Sequence, residues 1–176
     1  MKKLLIVGGS GTIARAFLNE YYDYYDFHCI ARNERHLAEI KRDFPMVDIY
    51  TGNIENKTQL FYQFDKIRPD IVVHMAAMKH VNLVEENPIQ GAIINVQGSL
   101  NVIEACIRTD VPVTVGLSTD KACAPENVYG YTKSILESCF LESNSDRNKF
   151  ACTRFANVAL TSDSVIPLWK TLIKED

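Results

Sequence analysis

The apolar run at residues 4–7 ends on Gly8, Gly9 and Gly11, and a segment of helical period begins at residue 12. The same alternation recurs along the chain. "FHCIA" precedes a helical pattern over 34–43, "VDIYT" one over 57–67, "DIVVHMAA" one over 89–108, and "VPVTVGLS" one over 128–142, before a last run, "FACTRFANV". Short runs that are apolar on both faces, separated by helices long enough for crossovers, predict a parallel sheet covered by helices on each side. No repeat, low-complexity tract or Pro/Gly/Ser linker interrupts the pattern, so residues 1–176 are expected to form one α/β domain.

Composition narrows what such a domain does. A formal charge of −3, with no basic stripe, argues against nucleic acid and anionic membranes as partners and leaves small molecules. The five cysteines are odd in number, widely spaced and mostly within apolar runs, which suits reduced thiols in a cytoplasmic protein. The opening "MKKLLIVGG" has too short an apolar run for a signal sequence or a span. The four histidines lack ligand spacing, so no metal is expected.

The turn "VGGSGTIARA" sits where a first strand meets a first helix. Gly8, Gly9, Ser10, Gly11, Thr12 and Ile13 form a candidate pyrophosphate cradle, with Ala14 where such turns usually carry a last glycine. Small residues let the backbone approach the phosphates, whose charge is met by free amides at the helix N-terminus. This turn and the strand–helix alternation together predict a Rossmann-type doubly wound sheet. At the end of the second strand stand Arg32 and Asn33, with Arg35 following, where an NAD-preferring domain places an acid. An arginine suits a 2′-phosphate, so NADP is expected over NAD. Asn53 and Ile54 are placed beside the adenine, and Ala76 and Ala77 leave room for the cofactor. Lys79 and His80 face cofactor or substrate.

Six stretches, "GGSGTIA", "AAMKHVNLVEENP", "NVQGSLNVIEA", "STDKA", "NVYGYTK" and "RFANV...SVIP", carry a resemblance that runs from about residue 3 to the C-terminus. They resemble the extended short-chain dehydrogenases/reductases, and within them the inverting UDP-N-acetylglucosamine 4,6-dehydratases of bacterial polysaccharide biosynthesis. The resemblance implies that Tyr129 and Lys133, four apart on one helix, oxidise the sugar at C4 with NADP, the lysine favouring the phenolate. It implies that Lys121 removes the C5 proton while Asp120 delivers one to the departing 6-hydroxyl, and that Thr119 holds the 4-oxygen. Asn95 would brace the site, and Lys79, His80 and Asn157 would meet the nucleotide-sugar substrate. Relatives of this kind are homo-oligomeric by expectation and about twice as long, so the substrate-covering C-terminal region of the family is largely absent from these residues.

Departures from the family pattern, Tyr131 within "YGYTK", Ala14 for glycine and Asn53 for aspartate, are expected to crowd or alter the pockets. The spacing of Leu168, Trp169, Leu172 and Ile173 predicts an amphipathic helix packed on another subunit or on its own sheet, with an open sugar-nucleotide pocket. A non-catalytic NADP-binding or interaction domain of the same descent stays open as an alternative, as, at a further remove, does an epimerase or reductase. Asp120 and Lys121 weigh against the latter.

Overall fold

The computed structural model describes residues 1–159, 169 and 173. Its centre is a parallel sheet in the order β3-β2-β1-β4-β5-β6. The strands are β1 (Lys3–Val7), β2 (Asp26–Ala31), β3 (Asp48–Thr51), β4 (Ile71–His74), β5 (Val113–Thr119) and β6 (Lys149–Phe155). Order reverses between β1 and β4, and the crevice beyond the carboxyl ends of those two strands is where an open α/β sheet takes a ligand.

The helices that cross over are α1 (Thr12–Tyr21), α2 (Glu34–Asp43), α3 (Lys57–Ile67), α6 (Gly98–Arg108) and α7 (Val128–Glu142). Two apolar layers follow from the alternation of strand side chains. Leu4, Ile6, Phe27 and Cys29 bury against α1 and α2, chiefly Ala14, Leu18, Leu37 and Ile40. On the other face Leu5, Val7, Ile30 and Val72 meet α3, α6 and α7 through Phe64, Val102, Cys106 and Phe140. Each fully buried side chain of this size contributes roughly 1.5–3 kcal/mol. The doubly wound architecture read from the sequence is therefore the one observed.

Three local features differ from the sequence reading. The fourth strand ends at His74 instead of reaching residue 77, because Met75 and Ala76 both donate their amides to the Val7 carbonyl, at 2.7 and 2.9 Å, and the chain turns there. A short helix, α4 (Val81–Glu86), follows. The segment read as one helix over 89–108 begins as α5 (Pro88–Ala92), widens into a π-helical turn (Ile93–Gln97) and continues as α6. Most of the C-terminal helix expected around Leu168 and Leu172 lies outside the described residues. Trp169 and Ile173 are helical and exposed.

Candidate active site

A cleft of about 770 Å³ opens at the carboxyl end of the sheet, within the range of sites that bury a large cofactor. Its floor is the glycine turn. Gly8 adopts φ +94°, and a Cβ there would lie 2.6 Å from the Ala76 amide nitrogen, so this position accepts no side chain. A Cβ at Gly11 would meet nothing closer than 3.6 Å, and Gly11 caps α1 without a side-chain hydrogen bond. The first amides of α1 thus have no side-chain acceptor at the cap, as a phosphate-binding helix start requires. Ser10, Thr12 and Ile13 line the same wall. Gly9 does not line the cleft. Its missing Cβ makes room for Cys29 of β2, whose Cβ would be 2.6 Å away.

Arg32 and Asn33 line the cleft beyond β2. Asn33 is also the N-cap of α2, its Oδ1 accepting the His36 amide at 3.0 Å, which leaves Arg32 as the charged group aimed at this end. Arg35 is turned to Glu39, at 3.2 Å, one turn along α2. Asn53 and Ile54 form the adjoining wall. Asn53 closes a tight turn by accepting the Glu55 amide at 3.2 Å, and Ile54 packs where Gly98 has no Cβ. Ala76, Ala77, Lys79 and His80 line the opposite side, after β4.

The chemical end of the cleft is built by β5, α7 and the segment after β6. Thr119 ends β5 and caps a single 3₁₀ turn, Asp120–Ala122. Thr119 Oγ1 donates to Asp120 Oδ1 at 2.9 Å, and the same oxygen accepts the Lys121 amide at 2.8 Å and Lys121 Nζ at 3.2 Å. The Thr119 hydroxyl, and then Lys121, hold the Asp120 carboxyl below the usual carboxylate range. Asp120 therefore stands as a carboxylate. Thr119 and Lys121 line the cleft, as does Asn157.

Tyr129 and Lys133 project into the cleft from α7. Asn127 caps this helix by accepting the Gly130 amide at 2.8 Å, and Glu85 accepts the Val128 amide at 2.9 Å. Gly130 is required for a different reason. A Cβ at that position would lie 2.6 Å from the Lys121 carbonyl, so only glycine lets the 3₁₀ turn and α7 close on one another. Burial raises the Tyr129 pKa, the Thr119 hydroxyl acts in the opposite sense, and the Asp120 charge raises it again. The phenol is therefore protonated at neutral pH. Lys133 is buried, and its Nζ donates to the Leu117 carbonyl at 2.8 Å. Burial lowers its pKa to about 8.

Asn95, in the π-helical turn, supplies the brace. Its Oδ1 accepts the Met78 amide at 2.7 Å, while Nδ2 donates to the Met78 carbonyl and the Thr132 hydroxyl, both at 3.0 Å. One amide side chain thereby ties the Lys79/His80 segment to α7. A π-turn aims a side chain that a regular helix would rotate away, and such turns recur at functional sites. Nearby, His74 Nε2 lies 2.9 Å from Ser99 Oγ. Burial, then the charge of Lys133, lower its pKa to about 3, so it is a neutral imidazole. Tyr131 does not crowd the site. It is about half exposed on the far side of α7 and takes no part in lining the cleft.

The described residues contain no cluster of three or more side chains placed to hold a metal ion, and no helix long and apolar enough to cross a membrane. The family model described as "Polysaccharide biosynthesis protein" matches residues 4–176. A UDP-N-acetylglucosamine 4,6-dehydratase (inverting) of Campylobacter jejuni subsp. jejuni is 34% identical over 99% of this chain and 54% of its own length. A UDP-glucose 4-epimerase of Rickettsia canadensis is 31% identical over the same shares, 99% and 54%. The crystal structure of Pen from Bacillus thuringiensis superposes with a TM-score of 0.92 at 33% identity, covering 99% of this chain and 58% of that one. The chain spans about half the length of the curated relatives it matches. With the family model matching residues 4–176 and relatives above 30% identity over nearly the whole chain, the chain belongs to the polysaccharide biosynthesis protein family.

Proposed function

We propose that the chain carries the cofactor and proton-transfer residues of an NADP-dependent UDP-N-acetylglucosamine 4,6-dehydratase, yielding a 4-keto-6-deoxy sugar nucleotide inverted at C5. The observation that carries this reading is the pair of Asp120 and Lys121, 3.2 Å apart, of which Lys121 lines the same cleft as Tyr129 and Lys133 while Asp120 stands just outside its lining. The cradle fits a dinucleotide: Gly8 admits no side chain, and the α1 amides face the cleft. Arg32 lines the adenosine end, and the neighbouring Ala31 and Asn33 put no acid at the strand end, which supports NADP over NAD.

When bound, NADP supplies a hydride carrier that takes hydride from C4 and returns it to C6. Tyr129 first gives up its phenolic proton to solvent; the phenolate, favoured by Lys133, which is charged below a pH of about 8, then accepts the proton of the 4-hydroxyl. The 4-keto group acidifies C5. Lys121 removes that proton and Asp120 gives one to the departing 6-hydroxyl, after which C5 is reprotonated from the opposite face. These roles need a neutral lysine and a protonated aspartate. Moving the proton across the existing contact gives both without any net change in charge, and covering the pair with substrate favours the uncharged form.

A second reading has support in the epimerase relatives: Tyr129 and Lys133 alone suffice to oxidise and re-reduce C4, with Asp120 and Lys121 as bystanders. Incubating the protein with UDP-N-acetylglucosamine and NADP separates the two. A 4-keto-6-deoxy product is expected, and recovery of a C4 epimer alone would favour the second reading.

The partners belong to the same proposal. A second copy of the chain is the expected macromolecular partner, supported by Ile89, Ile93, Tyr131 and Ile135, exposed on the neighbouring α5, π-turn and α7. Tyr131→Glu should shift sedimentation toward the monomer. The five free cysteines are consistent with a cytoplasmic setting.

A further inference from the structure

Two charged residues beside the cleft have no part in the chemistry above. Glu137 follows Lys133 by one turn of α7, so Tyr129, Lys133 and Glu137 fall on one helical face. Arg154, paired in register with Ser118 on the neighbouring β5, grips the Glu137 carboxylate with both arms. Nε lies 2.9 Å from Oε1 and Nη2 lies 2.7 Å from Oε2. The Glu137 side chain is 13% exposed and that of Arg154 48%, so the carboxylate is sheltered and the guanidinium faces solvent. The remaining arm, Nη1, reaches Cys123 Sγ at 2.8 Å, immediately after the turn that bears Asp120 and Lys121. Arg154 therefore links β6, α7 and the 3₁₀ turn.

The groups facing Lys133 can be taken element by element. β5 contributes the Leu117 carbonyl, a dipole without a titrating proton. β4 contributes His74, neutral above a pH of about 3. β6 contributes Cys152, which would favour the ammonium as a thiolate, but burial pushes that thiol up to about 11 and it stays neutral while Lys133 titrates. α7 contributes Tyr129, a phenol at neutral pH, and Glu137. The Glu137 carboxyl is held below its ordinary range by its hydrogen bonds to Arg154, so it is ionised throughout. Of the groups that favour a charged Lys133, the one bearing charge at neutral pH is Glu137.

We infer that Glu137, fixed by Arg154, is a positioning residue whose carboxylate keeps the buried Lys133 ammonium charged at the pH where the site works. The inference rests on the reading of Lys133 as the cation of the cofactor site. A bidentate grip matters because a freely rotating glutamate would swing into water and lose its influence on a buried neighbour.

The test follows the titration of Lys133 itself, by nuclear magnetic resonance on lysine-labelled protein, with the Lys133 signal assigned by its loss in Lys133→Arg. Glu137→Gln should move the midpoint down by about one pH unit, the scale of a nearby opposite charge. A purely structural role predicts the opposite sign for Glu137→Gln, since loosened packing hydrates the lysine and raises its midpoint. A rise or no movement in Glu137→Gln would overturn the inference. Glu137→Asp covers the case in which that variant does not fold: it retracts the charge by one methylene and should lower the midpoint by a smaller step, and a rise there would also overturn it. The titration needs neither cofactor nor sugar nucleotide, so it reads the electrostatic assignment apart from the proposed activity. Calorimetry with NADP across the same pH range reads the second link. Affinity should fall as Lys133 loses its proton, starting about one pH unit earlier in Glu137→Gln. A shifted titration without a shifted binding profile would contradict the cofactor role of Lys133 alone.

Discussion

The two ends of the cleft are made in different ways. The nucleotide end is backbone: a glycine whose φ and close approach exclude a side chain, a helix start without a side-chain cap, and alanines beyond β4. Its charged lining residues are Arg32 beyond β2 and Lys79 beyond β4, among the described residues. The chemical end is side chain: a carboxylate that accepts two donors from Lys121, a buried lysine, a phenol, and an arginine that links three elements. A backbone cradle is rigid because its hydrogen bonds are those of the fold. A side-chain cluster is tunable because each charge depends on what its neighbours bear. The first is suited to a cofactor that stays in place, the second to protons that must move.

That contrast can be broken most severely at the nucleotide end. Gly8→Val places a branched side chain at positive φ against the Ala76 backbone, which cannot retreat. Stability should fall by about 3 kcal/mol or more, and NADP binding should be lost in calorimetry. At the chemical end an equally small change should leave the cradle intact. Tyr129→Phe is expected to lower the rate of C4 oxidation by ~10² to 10⁴-fold with NADP affinity unchanged, as followed by single-turnover absorbance of the reduced nicotinamide. If affinity fell in parallel with rate, the two ends would not be separable.

Arg32 sharpens the comparison, as the charge that stands beyond β2 at the backbone end. Arg32→Asp should remove a preference for NADP over NAD of about ten- to hundredfold, corresponding to ~1.5–3 kcal/mol for a charge-assisted contact. Equal affinities in the wild type would contradict the assignment.

A smaller effect is expected at His74, on the strand between the two ends. Its folded pKa of about 3 lies below the ordinary 6.5, so the unfolded chain binds the extra proton first as pH falls. This group's contribution to stability is intact above pH 6.5 and is lost progressively between 6.5 and 3. Urea melts of His74→Gln should show a shallower decline across that window than the wild type.

The same contrast explains what the sequence made legible. Gly8, Gly11 and the strand–helix alternation are local signals, since a turn must be made by the residues in it, and the predicted sheet is the one observed. The face shared by Tyr129 and Lys133 is likewise a short-range signal. Glu137 and Arg154 were missed because they are common residues 17 positions apart, joined only when β6 lies beside β5. The π-turn at Asn95 was hidden because its residues read as an uninterrupted helix. Gly9 was assigned to the cofactor by proximity, whereas its requirement is packing against Cys29. The expectation that Tyr131 crowds the pocket fails because a residue two positions along a helix from Tyr129 points about 200° away from it.

The central claim is that Asp120 and Lys121 turn an oxidising site into an eliminating one. It is tested most directly by running the reaction with UDP-N-acetylglucosamine and NADP in deuterated water and reading deuterium at C5 of the product by nuclear magnetic resonance. The account predicts a 4-keto-6-deoxy sugar nucleotide labelled at C5 in the wild type, and no C5 label with Lys121→Met. A C4-inverted sugar nucleotide without solvent deuterium, or undiminished labelling in Lys121→Met, would contradict it.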